Sequence, residues 1–441
     1  MYGGKRARPK SHENSQELDE NACPNATKKR RTDKDFDVIG DKRLELDDLT
    51  SNFSEDDEST YTDSDDSIPL HRSDHSPKKK RPSSPPSNHN DNNAKMLSTP
   101  DNKYVLNDCI QKNCHFNKLS DEMMLSIFLW LPKVQLSRVA LVCKRWRCIA
   151  YDDTLWGRLD LNNKSLHPRN LEHVLKRGVL VLRLTGAIIP SPVIKPNSSY
   201  LPLNFVSKIQ YLDLTMAQIS DEGLAELLKT CRHLRKLSLE NCPLNQAVCE
   251  QIGHNVELEV LNLTSATGLK SNGLEAILAC CTKLYALNVA WTAMDQETLN
   301  TLSVTLSQSI KYLNVAGCRK NLSDDHVKKV IEKCPNLEEL DLSDCTNLTS
   351  VTLECIIAKL DKLEHLSLSR CYNMANSNFK SLEKMESLDY LELFGVLHDS
   401  VLNALTNDME TISINHFPFS SIARPTTGYR RTSLWGLRVR D

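Results

Sequence analysis

The sequence contains none of the short motifs that mark common catalytic sites. Its 441 residues include no G-x-x-x-x-G-K-[ST] or G-x-G-x-x-G phosphate-binding loop, no H-E-x-x-H motif and no G-x-S-x-G nucleophile elbow. The 13 histidines are scattered along the chain. The sequence therefore predicts that this chain is not an enzyme and that it uses no cofactor.

Metal-binding patterns are missing as well, although cysteine is frequent. The 15 cysteines form no C-x-x-C pair, and no histidine pair accompanies a cysteine at the spacing of a zinc site. A metal site is the alternative to a structural role, in which a buried thiol fills space as a small hydrophobic group. We expect the structural role and no metal ligand.

Long apolar runs and a strong net charge are also absent. No segment approaches the roughly 20 apolar residues of a membrane helix, and the net charge is -2. Neither a membrane nor a nucleic acid is therefore expected as a partner. The first ten residues are basic and lack an apolar run, so no secretory signal is expected and the thiols should be free in a reducing compartment.

Residues 1–114 form a predicted disordered regulatory arm. This segment is rich in serine, proline, asparagine and charge, and it cannot bury enough apolar surface to offset its ordering entropy. Ser76 precedes Pro77 and basic residues, which is typical of a cyclin-dependent-kinase site, and Lys42–Leu46 could dock a cyclin. A basic cluster predicts nuclear import, with residence also in the cytoplasm. The cluster consists of Lys28, Lys29, Arg30 and Arg31.

Residues 115–161 show helical spacing. Ser120 can cap a helix whose first turn is acidic and whose apolar face includes Met124 and Phe128. Pro132 should end that helix. A second helical run should place Leu136, Val139, Cys143, Trp146 and Ala150 on one face, and Leu155, Trp156 and Leu159 should close the unit.

Residues 162–414 are repetitive. The pattern apolar-x-x-apolar-x-apolar recurs in ten copies, from Val179/Leu182/Leu184 to Met409/Ile412/Ile414, mostly at steps of 24 to 27 residues. This period is typical of leucine-rich repeats, in which each copy forms one strand and one helix and buries its core against its neighbours. The predicted fold class is α/β, with a curved parallel sheet lined by helices and a tail at 415–441.

The repeat register also predicts a recognition surface. The eighth position, counted from the first strand leucine, lies at the end of the strand and is occupied by Trp291, Gly317, Asp344 and Arg370 in four consecutive copies. Because neighbouring strands are about 4.8 Å apart, these residues should form one column, bordered by Arg319. Aromatic residues and arginine are favoured as interface anchors. The alternative is a local Asp344–Arg370 ion pair, with Trp291 packed on the tail.

The run from Phe116 to Trp156 resembles an F-box, through Leu119–Phe128, Leu131–Pro132 and Leu141–Trp146. The family usually has proline where this chain has Ser120, and either residue can begin a helix. The resemblance implies docking on a small Skp adaptor and, through it, on a cullin and a RING subunit. The adaptor-binding residues that it implies are Leu119, Asp121, Glu122, Ile127, Leu131, Pro132, Val142 and Trp146. The alternative is an ordinary helical cap on the repeats.

The resemblance extends over residues 116–441 to one subgroup of F-box proteins with leucine-rich repeats. Matching segments include Gly317–Leu322, Leu366–Tyr372 and Ser420–Gly428. The subgroup presents phosphorylated cyclin-dependent-kinase inhibitors for ubiquitination, together with a kinase-subunit accessory protein, and its tail returns along the concave face. The contacts carried over are Trp291, Arg319, Asp344, Arg370 and Phe419, with Arg370 expected to grip an acidic residue of the substrate. Rival predictions are a receptor for unrelated substrates and an interaction scaffold outside any ligase.

Overall fold

The computed structural model describes residues 115–167, 170–194, 201–202, 204–426 and 433–439. The predictions for the arm, including Ser76, Lys42–Leu46 and the basic cluster at 28–31, lie outside these residues. Among the described residues, no helix combines the length and apolar character that a membrane crossing requires.

The N-terminal region is helical, as predicted. Ser120 caps its first helix, because the Ser120 Oγ accepts a hydrogen bond from the Met123 N–H at 3.3 Å. Asp121 and Glu122 lie in the first turn, where carboxylates stabilise the positive end of the helix dipole. The elements are a 3₁₀ turn His115–Lys118, α1 Asp121–Phe128, α2 Lys133–Val139, α3 Lys144–Ala150 and a 3₁₀ turn Asp153–Trp156.

The second helical run predicted from the sequence is wrong as a single helix. The chain leaves the helix after Val139 and begins α3 at Lys144, with Cys143 in an extended conformation. The Cys143 Sγ accepts a hydrogen bond from the Trp146 N–H at 3.4 Å and so caps α3. This break lets α3 fold back, so that Trp146 packs on Phe128 of α1.

Within the described residues, eleven parallel strands form one sheet in chain order, as the fold class predicts. The central residue of each three-residue strand is a leucine, from Leu159 to Leu391, and it is buried on the side of the helices. The strands are β1 Arg158–Asp160, β2 Val181–Arg183, β3 Tyr211–Asp213, β4 Lys236–Ser238, β5 Val260–Asn262, β6 Ala286–Asn288, β7 Tyr312–Asn314, β8 Glu339–Asp341, β9 His365–Ser367, β10 Tyr390–Glu392 and β11 Ser413–Ile414.

The sheet extends one strand further toward the N-terminus than the ten predicted copies. Strand β1 pairs with β2 through Leu159 and Leu182. The same apolar pattern is present here as Trp156, Leu159 and Leu161, inside the segment that the sequence analysis assigned to the helical region. The helical region and the repeats therefore share one continuous core.

Helices connect the strands and cover one face of the sheet. Several begin with a side-chain cap, for example Ser220 of α5 and Asp295 of α8, and consecutive helices from α5 to α10 pack against one another. The helices are α4 Asn170–Lys176, α5 Asp221–Lys229, α6 Gln246–Gly253, α7 Ser271–Cys280, α8 Gln296–Thr305, α9 Asp324–Lys333, α10 Ser350–Lys359, α11 Asn376–Phe379, with a 3₁₀ turn Lys380–Lys384, and α12 Asp399–Asp408. We call the uncovered face the open face.

The repeat cysteines are buried, and several donate hydrogen bonds to backbone carbonyls of the preceding repeat. The Cys242 Sγ lies 3.1 Å from the Leu214 oxygen, and the Cys371 Sγ lies 3.2 Å from the Leu342 oxygen. Burial raises the pKa of both thiols to about 12. The thiols therefore stay protonated near neutral pH and fill the turn between repeats, which is the structural role predicted for them.

Candidate functional site

The N-terminal helical region exposes a group of large apolar side chains, which we call the helical patch. Trp130, directly after α1, is 89% exposed. Monomeric proteins rarely expose contiguous apolar surface on this scale unless it is an interaction site. The members are Met123, Ile127, Leu129, Trp130, Leu141 and Val142.

The helical patch rests on an aromatic cluster. The Trp146 ring lies edge-on to both Phe116 and Phe128, with centroid distances of 5.4 and 5.6 Å. Phe128 and Met124 are buried beneath α1. This packing fixes the angle between α1 and α3, and therefore the relative positions of the patch residues that flank them.

Arg145 ties the start of α1 to α3. Its Nε donates to the Asp121 Oδ1 at 2.9 Å, its Nη1 donates to the Phe116 carbonyl at 3.3 Å, and its Nη2 donates to the Leu119 carbonyl. The sequence analysis did not identify Arg145, since nothing in its spacing distinguishes it from a solvated arginine. Asp121, predicted to bind the adaptor, is thus an internal partner of Arg145.

The other predicted adaptor-binding residues divide into two groups. Ile127 and Val142 belong to the helical patch, and Pro132 and Glu122 are exposed beside it. The half-buried residues pack against the core instead and support the surface from below; they are Leu119, Leu131 and Trp146.

Four members of the helical patch were missed by the sequence analysis. A signal was available for two of them, because Met123 and Trp130 lie off the apolar face that Met124 and Phe128 define, and an apolar residue off the buried face is exposed by default. The exposure of Leu141 follows from the helix break after Val139, which could not be anticipated from the spacing.

The eighth repeat positions form a column at the rim of the sheet, which we call the rim column. From β1 to β10, every described residue at this position has a left-handed backbone, with φ between 55° and 78°. Its N–H continues the inter-repeat ladder, as in Trp291 N to Ala316 O at 2.9 Å. The column residues are Asn163, Gly186, Met216, Asn241, Ser265, Trp291, Gly317, Asp344, Arg370 and Gly395.

A left-handed backbone disfavours side chains with a Cβ by about 1–2 kcal/mol, so the bulky residues of the column are notable. Trp291 is 39% exposed and lies across Gly317, where a Cβ would overlap the indole ring. The Arg319 guanidinium carbon lies 5.7 Å from the same ring, in cation–π geometry. Gly317 thus makes room for Trp291, and Arg319 covers the ring's outer side.

Asp344 and Arg370 form the local ion pair that the sequence analysis kept as an alternative. The Arg370 Nε donates to the Asp344 Oδ1 at 2.6 Å, and Nη2 donates to Oδ2. The hydrogen bonds to Asp344 raise the pKa of Arg370. The Arg370 side chain remains 50% exposed, and its Nη1 has no acceptor among the described residues. The pair therefore orients the guanidinium and leaves one edge available to an acidic group.

The tail is anchored first near the C-terminal end of the sheet. The Phe417 N–H donates to the Glu392 Oε1 at 2.9 Å, and the Phe417 ring lies 5.0 Å from Tyr390 and 5.5 Å from His365. Tyr390 and His365 are first residues of their strands, so they project from the open face. Phe419 follows this anchor and is 81% exposed.

A second anchor lies farther back along the sheet. Ile422 and Ala423 pack on Val260 of β5 and Ala286 of β6, and the Asn288 Nδ2 donates to the Ile422 carbonyl at 3.0 Å. A final hairpin, β12 Ser433–Leu434 and β13 Leu437–Arg438, places Leu434 against Val181 of β2. The described tail residues therefore return along the open face from β10 to β2, with Phe419 exposed between two fixed anchors.

Two family models match the chain. Residues 117–162 match the F-box-like family, and residues 169–441 match the family described as the SKP2 LRR domain. The chain is 23% identical over 238 residues to the putative F-box/LRR-repeat protein 9 of Arabidopsis thaliana, over 53% of this chain and 89% of that protein.

A second relative matches over a shorter segment. The human F-box/LRR-repeat protein 12 is 26% identical over 134 residues, which cover 30% of this chain and 41% of that protein. A solved leucine-rich-repeat protein, LegL7 of Legionella pneumophila, has a TM-score of 0.34 and 16% identity, over 52% of this chain and 80% of that one. Since the SKP2-type model alone spans more than half of the 441 residues, the chain belongs to the family of F-box proteins with SKP2-type leucine-rich repeats.

Proposed function

We propose that the chain is the substrate-recognition subunit of a Skp–cullin–F-box ubiquitin ligase. The observation that carries the proposal is the helical patch, whose apolar residues protrude from a rigid F-box and have no cover among the described residues. F-box domains typically bind a Skp adaptor, and a hydrophobic core is what a stable interface of this kind requires. The cullin and RING subunit would be reached through that adaptor.

We further propose that the chain performs the role of S-phase kinase-associated protein 2. In this role it binds phosphorylated cyclin-dependent-kinase inhibitors, with the kinase-subunit accessory protein, and acts in the nucleus. Trp291, Arg319 and the oriented Arg370 offer an aromatic platform and cations at one rim. Phe419 adds an exposed aromatic group from the tail. Arginine is suited to this task because it recognises carboxylates and phosphates in a paired geometry.

The chain would act by proximity rather than by chemistry of its own. The helical region and the repeats share one continuous core, so a substrate at the rim column is held at a fixed place relative to the adaptor. Holding a target near a second component raises its effective concentration there. Ubiquitin transfer would then be carried out by an enzyme that the other subunits bring.

Adaptor co-purification tests the proposal. The test variant is Trp130→Asp, which places a charge on the most exposed residue of the helical patch. The control variant is Val304→Asp on α8, because Val304 is also an exposed aliphatic residue, at 53%, but lies on a repeat helix. Central aromatic residues often contribute 2 kcal/mol or more to an interface.

We expect wild type and Val304→Asp to retain the adaptor and Trp130→Asp to lose it, with unchanged thermal unfolding in all three. Retention of the adaptor by Trp130→Asp would count against the receptor role. The helical patch would then be a cap on the repeats. Leu131 is unsuitable as a test site, because it packs against the core and its replacement would also destabilise the fold.

A further inference from the structure

A small cavity lies between the second tail anchor and the open face of the sheet. Its volume is about 180 Å³. The sheet contributes residues of β4 to β8, and the tail closes the other side. Its polar and aromatic lining includes Lys236, Tyr285, Tyr312, Glu339, Arg424 and Trp435. None of these residues belongs to the helical patch or the rim column.

Two cations of this cavity lack a matching anion. The Arg424 Nε is buried and has no hydrogen-bond partner. Lys236 lies with its Nζ 5.9 Å from the Tyr211 ring, and neither cation has a carboxylate within ion-pair distance among the described residues. Burial lowers the pKa of Lys236, which shows that its charge is poorly solvated. Both residues are only half-buried, but the buried Arg424 Nε lacks a partner, and a buried donor without a partner is costly. An anionic ligand would supply that partner.

The carboxylates nearby do not neutralise these cations. Glu259 is paired with Arg235 on the neighbouring strand. Glu339 also lines the cavity and forms no ion pair with Lys236 or Arg424 among the described residues; burial raises the pKa of this carboxyl. The Tyr312 hydroxyl donates to the Glu338 Oε2 at 2.6 Å, so its hydrogen bond goes to a carboxylate and not to either cation. Two cations and one carboxylate line the cavity, so positive charge is in excess there.

We propose that this cavity binds a phosphate monoester, held between Lys236 of β4 and Arg424 of the tail. Two cations match the two negative charges of a phosphate monoester, and charge-assisted hydrogen bonds to arginine and lysine are the strongest that such a group makes. The volume admits a phosphate and a few further atoms, whereas drug-sized ligands need about 300 Å³ or more. The aromatic side chains would enclose the body that carries the phosphate.

Such a ligand would also regulate the tail. Lys236 belongs to the sheet and Arg424 to the tail, so a ligand that contacts both stabilises the docked tail by mass action. Arg424 lies five residues after Phe419. Occupancy of the cavity would therefore limit the movement of Phe419, which links a phosphate monoester to the proposed recognition residue of the tail.

Calorimetric titration of the full chain with O-phosphoserine and with inorganic phosphate tests the proposal. We expect Lys236→Gln and Arg424→Gln each to weaken binding about ten-fold or more, since a hydrogen bond to a charged group contributes about 1.5–3 kcal/mol. Lys362→Gln is the matched control, because Lys362 is exposed and its Nζ contacts Asn336. Glu339→Gln should tighten binding, because it removes a negative charge from the cavity.

Hydrogen exchange of residues 418–426 gives a second readout. At a ligand concentration ten times the dissociation constant, exchange in the wild type should slow about ten-fold. Lys236→Gln should abolish the slowing although it leaves the tail sequence intact. No binding by wild type would overturn the proposal. Equal binding by wild type, Lys236→Gln and Lys362→Gln would overturn it as well, because the ligand would then bind elsewhere. Binding of inorganic phosphate but not of O-phosphoserine would also overturn the proposal, because the cavity would then exclude a phosphate monoester.

Discussion

The F-box and the repeats expose their interaction groups in different ways. In the F-box, apolar residues of the helical patch protrude from ordinary helical backbone, supported from below by Trp146. At the rim column, Trp291 and Arg370 sit on left-handed backbone, and Trp291 also depends on the neighbouring Gly317 for space. The helical patch suits a partner that buries apolar surface on it. The rim column suits a partner that makes directional contacts with a few oriented side chains.

This difference predicts different responses to perturbation. Replacing one apolar patch residue by another should be tolerated, because burial of area is not directional. At the rim column, the backbone positions the side chain, so small changes in a neighbouring residue should matter as much as changes in the contact residue itself. The predictions below run from the largest expected effect to the smallest.

Alkaline pH should destabilise the repeats far more than it alters the F-box. An unfolded thiol releases its proton near pH 9, whereas the buried Cys242 and Cys371 keep theirs until about pH 12. The stabilisation is thus complete below pH 9 and is lost as pH rises through 12, at about 1.4 kcal/mol per pH unit for each thiol. Denaturant unfolding monitored at several pH values measures the slope.

The control for the alkaline effect is Cys242→Ser, which keeps a donor for the Leu214 carbonyl but does not titrate in this range. Above pH 9, its free energy of unfolding should fall less steeply with pH than that of wild type, by about 1.4 kcal/mol per pH unit for the one thiol removed. Cys143 and Cys148 of the F-box are exposed, so alkylation near pH 8 should modify them and spare Cys242. An unchanged slope in Cys242→Ser would contradict the assigned burial.

Trp146→Ala should cost the F-box about 3–5 kcal/mol, as expected for removal of a packed tryptophan. The loss of contact with Phe116 and Phe128 would let α1 and α3 move apart. Adaptor binding should fall with it, although Trp146 itself is half-buried. Trp130→Asp should remove adaptor binding with little change in stability. Calorimetric unfolding of the two variants therefore distinguishes a residue that supports the helical patch from one that contacts the adaptor.

Gly317→Ala should weaken partner binding at the rim column with a loss of stability of about 1–2 kcal/mol. The new Cβ would overlap the Trp291 ring and must also adopt a left-handed backbone. Gly395→Ala provides the comparison, because its Cβ would meet only the Arg370 Cγ, at 3.4 Å. Tryptophan fluorescence should shift in Gly317→Ala and stay unchanged in Gly395→Ala; equal spectra would argue against the Trp291–Gly317 contact.

Arg370→Lys should change stability by no more than about 1 kcal/mol, because the ion pair with Asp344 is half-exposed and screened by solvent. Binding of an acidic partner should nevertheless weaken, since lysine cannot make the paired hydrogen bonds that orient the arginine. Urea unfolding, measured on the same preparation as partner titration, should therefore show little change in stability while the titration shows weaker binding. A parallel change in both would mean that Arg370 is only structural.

The repeated fold was predictable because its signal is redundant. Each copy carries the same apolar pattern, so a single atypical residue such as Met409 at the first position of its copy does not obscure the period. The exception was β1, whose pattern begins with Trp156 rather than with a leucine and was read as the end of the F-box. The break between α2 and α3 was missed because it depends on the packing of Trp146 with Phe116 and Phe128.

The binding surfaces were harder to predict from sequence. Register alone placed Trp291, Asp344 and Arg370 in one column, but the left-handed backbone and the role of Gly317 beneath Trp291 follow only from the structure. The pairing of Asp121 with Arg145 joins residues 24 positions apart and follows no periodic pattern. The cavity beside Arg424 exists only because the tail folds back on the sheet.

The most direct test of the account asks whether two variants each lose a different partner of the same complex. Wild-type chain, the Skp adaptor, the kinase-subunit accessory protein and a phosphorylated inhibitor peptide are combined and analysed by size exclusion, beside Trp130→Asp and Trp291→Ala. We predict one complex with all components for wild type, loss of only the adaptor in Trp130→Asp, and loss of only the peptide and accessory protein in Trp291→Ala. A wild-type chain that binds the adaptor but not the peptide, or a variant that loses both partners, would contradict two independent surfaces.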